Sequence, residues 1–186
     1  QGDIFFAASP NLKMIHLLRH PVDVVHSWYR RGWGRRYGVD PLVLAPALQG
    51  PKGPVPLYAH AWAEVYGRVG EMDRIIASIE SIQRDCAAGY QALEARFKKQ
   101  IMFVTFEGVV ENTHKELDRI CRFLDTRRSA TTPLTLARER CPSTLVPGKR
   151  QAKRDEIKSL AKAKMFKRLK AMQEHYEKRL SVARSL

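Results

Sequence analysis

The 186-residue sequence has few cysteines, no long apolar run and a shortage of acidic side chains. Its cysteines, Cys86, Cys121 and Cys141, are an odd and scattered set, which argues against a disulfide framework and against a cysteine metal site. No apolar run reaches the roughly 18 residues that a membrane span requires. The chain lacks an initiator Met and the features of a signal peptide, so we expect it to begin inside a longer protein. These absences do not predict a compartment, and both the cytoplasm and the Golgi lumen stay open.

Acidic residues number 19 against 33 Lys and Arg, which gives a net charge of +14. Residues 148–186 alone contain thirteen of the basic residues and four acidic ones. A basic balance favours anionic partners such as nucleotides, nucleic acid, sulfated sugars or membrane surfaces, and does not choose among them. The spacing predicts one amphipathic helix from Asp155 to about Leu180, packed on the domain with its cations in water. Contact of this helix with an anionic acceptor or a membrane surface is the alternative.

Apolar runs alternate with segments of helical spacing. Met14 to Leu18 has the pattern of a buried parallel strand, and Ile101 to Phe106 that of a second buried strand. A helix is expected from Pro21, because proline suits the first helical turn. A second helix is predicted from Tyr58 to about Cys86, and Ala92 to Lys99 continues it or forms another. Strands alternating with helices predict an α/β layered domain.

Two further segments have distinctive composition. Gly32 to Pro56 contains five glycines and five prolines, which predicts a long loop. Loops of this length inside a domain are often functional, and we expect acceptor specificity to reside there. Asn112 to Glu116 has the pattern of a capping box, which predicts the start of a helix with one apolar face.

The segment that follows the first predicted strand has the chemistry of a phosphate clamp. Arg19 lies where the strand ends, and ligands bind at the carboxyl ends of strands in open α/β sheets. The next helix presents free N–H groups and the positive end of its dipole there. The Arg19 guanidinium is a forked donor that matches phosphate oxygens. Asp23 and Ser27 are four residues apart and share a helix face, so the hydroxyl is in a position to contact the same anion.

These residues resemble the 3′-phosphate-binding motif of sulfotransferases that use 3′-phosphoadenosine-5′-phosphosulfate (PAPS). The motif is an apolar strand, then Arg-x-Pro-x-Asp, then Ser eight residues after the Arg, here Arg19 to Asp23 with Ser27. Val104 to Asn112 resembles the family's strand ending in Tyr-Glu-Asp-Leu, and Lys115 to Asp125 resembles its Lys-Glu-Leu…Ile-Cys-x-Phe-Leu helix. The resemblance covers about residues 13–125. It implies a P-loop-NTPase-like sulfotransferase fold, a parallel sheet with flanking helices, truncated at its N-terminus.

The resemblance also implies a donor site. Arg19 and Ser27 would bind the 3′-phosphate of PAPS, and Tyr58 lies where the family often places an aromatic side chain against adenine. Lys149 and Arg150 lie where the family closes a basic loop, here residues 143–150, over the 3′-phosphate. The family's phosphosulfate loop and catalytic base would precede this chain, so its catalytic residues are unknown and the chain alone is expected to be inactive. No metal is implied.

The predicted organisation is a partial sulfotransferase domain over residues 1–150 and a basic helix over residues 151–186. The predicted function is sulfuryl transfer to a hydroxyl, or an amine, of a carbohydrate, lipid or small molecule. No nucleic-acid partner is expected, membrane contact would come only through a missing N-terminus, and the oligomeric state is not predicted. The alternatives are a basic nucleic-acid-binding module, whose phosphate contacts would explain the basic tail, and a P-loop kinase-like nucleotide-binding domain.

Overall fold

The structure is a computed structural model that describes residues 2–36, 46–51, 53–139, 144–146 and 148–184. Its strands are β1 (Met14–Leu18), β2 (Ala47–Gly50), β3 (Gly53–Pro56) and β4 (Ile101–Thr105), and a 3₁₀ helix spans Leu57–Trp62. Its α-helices are α1 (Gly2–Ala8), α2 (Pro21–Arg30), α3 (Trp33–Arg36), α4 (Ala63–Tyr66), α5 (Glu71–Ala92), α6 (Ala95–Lys98), α7 (Phe106–Glu111), α8 (Thr113–Leu124), α9 (Thr132–Arg138), α10 (Lys149–Leu160) and α11 (Ala163–Arg184). The predicted α/β class is therefore confirmed.

The chain divides into two compact units. The first unit comprises Gln1–Arg19 and Ala88–Pro147, and the second comprises His20–Ala87 and Gly148–Leu186. Helix α5 runs from the second unit into the first. The basic C-terminal segment thus belongs to the same unit as α2.

A two-stranded parallel sheet forms the centre of the first unit. β1 pairs with β4 in a register that runs from Met14 opposite Ile101 to Leu18 opposite Thr105. Both predicted strands and the parallel pairing are therefore confirmed. The expected burial of β1 is wrong, because Leu17 is 59% exposed and its neighbours alternate between exposed and half-buried. Within the described residues β1 has one neighbouring strand, so its side chains are less covered than those of a central parallel strand.

The predicted start of α8 is confirmed, but the predicted capping box is not formed. The side chain of Asn112 makes no capping hydrogen bond. Thr113 instead donates its hydroxyl to the carbonyl of Val109, and Glu116 pairs with Arg119 at 2.7 Å. Helix α7 ends immediately before α8, so its carbonyls compete with the local cap for the hydroxyl.

One apolar core holds the second unit together. It joins α2, α5, α10 and α11, and it is formed by Val22, Val25, Met72, Ile75, Ile76, Ile79, Ile157, Leu169 and Met172. The side chains recur at steps of three or four residues, which places them on one face of each helix. Burying each of them stabilises the fold by about 1.5–3 kcal/mol before entropy is counted.

The helix predicted from Tyr58 to Cys86 is interrupted. The chain forms the 3₁₀ helix and α4, breaks between Gly67 and Gly70, and resumes as α5. Glycine is costly inside a helix, which favours a break at these positions. Arg74 stabilises this break, because its guanidinium donates to the carbonyls of Tyr66 and Val69, both at 3.0 Å. Residues 95–98 form a second helix, as one of the two predictions for Ala92 to Lys99 states.

The long loop predicted from Gly32 to Pro56 is partly regular. It contains α3 and an antiparallel hairpin in which Ala47 of β2 lies opposite Pro56 of β3. Proline donates no backbone hydrogen bond and is tolerated in an edge strand, which is why the composition concealed the hairpin. Gly53 begins β3 with φ of 111°, a conformation open to glycine. Residues 37–45 and 52 of this segment lie outside the described residues.

The single C-terminal helix predicted from Asp155 to Leu180 is wrong. The segment forms two helices, α10 and α11, separated at residues 161–162. The backbone N–H of Lys162 donates to the carboxylate of Asp73 at 2.9 Å, and Asp73 is buried on α5. This contact satisfies a backbone donor at the start of α11 from a distant helix, so the local sequence does not reveal the break.

Candidate functional site

Arg19 follows β1 directly and packs on an aromatic ring. Its guanidinium carbon lies 4.4 Å from the centroid of the Phe106 ring. The Nε of Arg19 is buried and has no hydrogen-bond partner among the described residues. Since a buried N–H is costly without an acceptor, this donor fits a site that an anion completes.

Helix α2 begins two residues after Arg19. Its first residue is Pro21, whose missing N–H costs nothing in the first turn of a helix. The amide of Asp23 donates to the carbonyl of His20 at 3.0 Å, which closes that turn. The predicted start of the motif helix at Pro21 is therefore confirmed.

Ser27 lies on α2 and is half-buried. Its backbone carbonyl accepts from Arg31 at 3.2 Å. Within the described part of the chain its hydroxyl makes no hydrogen bond, whereas the hydroxyl of Ser78 donates to the carbonyl of Arg74 at 2.8 Å. The Ser27 hydroxyl is therefore not engaged by its own helix within the described residues.

Asp23 is an ion-pair centre. Its carboxylate is 9% exposed and accepts from Nε and Nη2 of Arg150, at 3.0 and 2.9 Å, and from Nζ of Lys153. Burial by itself would raise the pKa of this carboxyl, but the hydrogen bonds from Lys153 and Arg150 outweigh burial and hold the pKa below its ordinary value of 3.8. Asp23 thus stabilises the packing of α10 on α2, in addition to its place in the motif.

His20, the residue before α2, and His26 on α2 also contact the C-terminal helices. Nε2 of His26 lies 2.9 Å from a carboxylate oxygen of Glu156 on α10. The buried ring of His20 packs edge-on against Tyr176 of α11, with centroids 5.5 Å apart. The start and the middle of α2 are therefore tied to the C-terminal pair of helices, through side chains that are more than 120 residues apart in sequence. Sequence patterns gave no signal for these pairs.

Tyr58, the predicted adenine contact, lies on the 3₁₀ helix. It is half-buried, and its ring centroid is 6.0 Å from that of Trp28, the residue after Ser27. Trp28 in turn lies 5.3 Å from Trp33. This aromatic cluster in the second unit offers apolar ring surface next to the motif helix.

Lys149 and Arg150, the predicted basic loop residues, open α10. Lys149 is exposed at the first helical position, after Gly148 with φ of 79°. Arg150 is half-buried and is held by Asp23. Residues 143 and 147 of the predicted loop lie outside the described residues.

The described ranges show no metal-binding cluster and no membrane-spanning helix. There, no three His, Cys, Asp or Glu side chains are grouped so that they could hold a metal ion. The helices described in those ranges are too short or too polar for a transmembrane span.

Comparison of the sequence with models of known protein families identifies the family of this chain. The sequence model of the sulfotransferase domain matches residues 6–178. The chain belongs to the sulfotransferase domain family. This match confirms the resemblance drawn from Arg19, Ser27 and the later blocks, and it extends through most of α11. Comparisons with curated proteins and with solved structures give no match.

Family membership indicates sulfuryl transfer as the general activity and makes the protein a transferase. It favours this function over the nucleic-acid-binding and kinase-like alternatives. It also means that the basic C-terminal helices lie inside the family domain. Three of their cations, Arg150, Lys153 and Arg168, are engaged by acidic residues of α2 and α5.

Proposed function

We propose that the protein transfers a sulfuryl group from PAPS to a hydroxyl, or an amine, of a carbohydrate, lipid or other small acceptor. The observation that carries the proposal is Arg19, with a buried donor that no described residue satisfies, at the end of a parallel strand. It stands at the motif position that the family uses for the 3′-phosphate. The proposal includes a P-loop-like sheet for the family domain.

In the proposed reaction the acceptor oxygen or nitrogen attacks the sulfur of PAPS in line. The bond between sulfur and the oxygen that bridges to the 5′-phosphate breaks as the new bond forms, and the acceptor loses its proton to a base. Adenosine 3′,5′-bisphosphate leaves with the electron pair of the broken bond. Such group transfer depends on positioning and electrostatic stabilisation. No residue of this chain is assigned as the base.

The residues present fit the donor in three ways. Arg19 supplies N–H donors and positive charge for the 3′-phosphate, and Ser27 supplies a hydroxyl that its helix leaves unused. Tyr58 supplies an aromatic face for adenine. Lys149 is exposed and supplies a second cation, whereas Arg150 acts through its ion pair with Asp23 and places α10.

The test is calorimetric binding of adenosine 3′,5′-bisphosphate and of 5′-AMP to the protein and to Arg19→Ala. We expect the protein to prefer the bisphosphate and Arg19→Ala to lose at least tenfold of that preference, as expected for a charge-assisted contact of about 1.5–3 kcal/mol. Arg96→Ala is the matched control. Arg96 also stacks on a phenylalanine, at 4.5 Å from Phe97, but it is 70% exposed and pairs with Glu94.

Equal affinity for the two nucleotides in the wild-type protein would contradict the proposed donor site. A basic module that binds nucleic acid through phosphates would instead show weak nucleotide selectivity and a steep loss of affinity with salt. Transfer of labelled sulfuryl from PAPS to a panel of hydroxyl and amine acceptors then identifies the acceptor class.

A further inference from the structure

Arg19 and Phe106 are the first residues after two adjacent parallel strands. The register pairs Leu18 with Thr105, and each of these residues is the last of its strand. Neighbouring strands lie about 4.8 Å apart. The two following residues therefore leave the same edge of the sheet side by side, and the register determines that the guanidinium meets this ring.

The contact orients the guanidinium. Its carbon lies 4.4 Å from the ring centroid, well inside the range in which a cation is attracted to an aromatic face. In the described part of the chain no carboxylate pairs with Arg19, so the ring replaces the acidic partner that usually holds a half-buried arginine. The ring offers no oxygen or nitrogen acceptor, so this contact leaves the N–H donors of the guanidinium for an anion.

Phe106 is itself held in place by the start of α7. The hydroxyl of Thr105 accepts from the backbone N–H of Gly108 at 3.1 Å, which caps the helix. A Cβ at position 108 would lie 2.8 Å from that oxygen, so the close cap requires glycine. Val110, on the same helix, is 3% exposed and fixes α7 to the unit. The ring thus stands on a capped helical turn.

We propose that Phe106 is a positioning residue, which holds the Arg19 guanidinium in the orientation that receives the 3′-phosphate of the nucleotide. The inference rests on the proposed function and names a residue that determines its preference for a 3′-phosphorylated ligand. The neutral Phe106 ring suits this role better than a carboxylate, because a carboxylate would compete with the phosphate for the N–H donors of Arg19. Holding the side chain before binding lowers the entropy that binding costs.

The experiment measures adenosine 3′,5′-bisphosphate and 5′-AMP affinity by calorimetry for wild type, Arg19→Ala, Phe106→Leu and Phe106→Tyr. We expect Phe106→Leu to weaken bisphosphate binding by about five- to tenfold and to leave 5′-AMP binding unchanged. Phe106→Tyr keeps the ring face and should retain the wild-type preference. In the Arg19→Ala background, Phe106→Leu should cause no further loss.

Phe103→Leu is the matched control. Phe103 is a half-buried ring on β4 that contacts Tyr90 at 5.0 Å, and its removal should leave the nucleotide preference intact. If Phe106→Leu does not fold, Phe106→Met is used as the test variant instead, because methionine keeps the apolar volume without the ring.

The outcomes separate this inference from the proposed function. If wild type prefers the bisphosphate and Arg19→Ala abolishes the preference, but Phe106→Leu retains it, the positioning role is wrong and the proposed function stands. Equal weakening of both nucleotides by Phe106→Leu would mean a general structural role and would also overturn the inference. If wild type shows no preference, the proposed function fails and the inference fails with it.

Discussion

Asp23 on α2 and Arg150 on α10 form a two-donor ion pair, with Nε and Nη2 of the arginine 3.0 and 2.9 Å from one carboxylate oxygen. The two residues are 127 positions apart. The pair joins the helix that carries Ser27 to the basic C-terminal segment. Part of the positive charge of this segment, which by itself suggests binding to a polyanion, is therefore used for an ion pair inside the second unit.

Asp23→Asn should destabilise the protein. The carboxylate is nearly buried and is held by two cations, so the substitution removes the negative charge that Arg150 and Lys153 share. We expect a loss of about 1–2 kcal/mol in the free energy of unfolding, measured by denaturant titration near neutral pH, because Arg150 is partly exposed. Asp85→Asn is the control, because Asp85 is 40% exposed beside Arg84 and such surface pairs contribute little. An Asp23→Asn variant as stable as this control would contradict the assignment.

The same pair predicts a pH dependence. The pKa of Asp23 is lower in the folded protein than its ordinary value of 3.8. Its ion pairs therefore stabilise the folded state at pH values above 3.8, and this contribution is lost as the pH falls through the folded-state pKa. The difference in unfolding temperature between wild type and Asp23→Asn should be constant from neutral pH down to about pH 4 and should shrink at lower pH. A difference that grew on acidification would refute the ion-pair explanation.

Substitutions of Lys149 and Arg150 should differ in their effect on the stability of the protein. Arg150→Ala removes the contact with Asp23, and we expect it to lower stability by about 1 kcal/mol because the arginine is partly exposed. Lys149→Ala should change stability by less than about 0.5 kcal/mol. Thermal unfolding of both variants, followed by nucleotide binding, tests this. The proposed second cation would be wrong if Lys149→Ala bound the bisphosphate as tightly as wild type does.

Ser27→Ala should affect ligand binding and spare stability. Its hydroxyl makes no hydrogen bond within the described residues, so removing it costs the folded protein little. We expect a roughly three- to tenfold loss of bisphosphate affinity, the value of one hydrogen bond of about 0.5–1.5 kcal/mol. Ser78→Ala, at a buried serine that bonds to its own helix, should leave the nucleotide preference unchanged. Unchanged bisphosphate affinity in Ser27→Ala would remove this residue from the proposed site.

Arg74→Lys should destabilise the second unit. The guanidinium donates to three backbone carbonyls, those of Tyr66 and Val69 at 3.0 Å and that of Gly34 at 2.6 Å. An ammonium keeps the charge but cannot reproduce this fork, so we expect a loss of about 1–3 kcal/mol. Arg84→Lys, on the exposed side of the same helix, is the control in denaturant unfolding. Equal stability of the two variants would show that the fork is dispensable.

The strand, turn and helix from Met14 to Ser27 could be predicted from sequence because their signals are local. An apolar run, a proline at the first helical position and the spacing from Arg19 to Ser27 each concern residues within one strand, turn and helix. The structure confirms β1, the start of α2 and the parallel partner β4. The family match through residue 178 confirms the family that these residues indicated.

The remaining features depend on contacts between segments that are distant in sequence. The break between α10 and α11 is capped by Asp73 from α5, and the ion pairs of Asp23 come from α10. The ring that contacts Arg19 is brought to it by the register of β1 against β4, more than 80 residues away. The sequence by itself determined the elements and the motif, since propensity, spacing and turn chemistry act within a few residues. Only the tertiary structure decided which side chain completes each buried donor and each buried charge, because hydrogen bonds and ion pairs form between whichever groups the packing brings within about 3 Å.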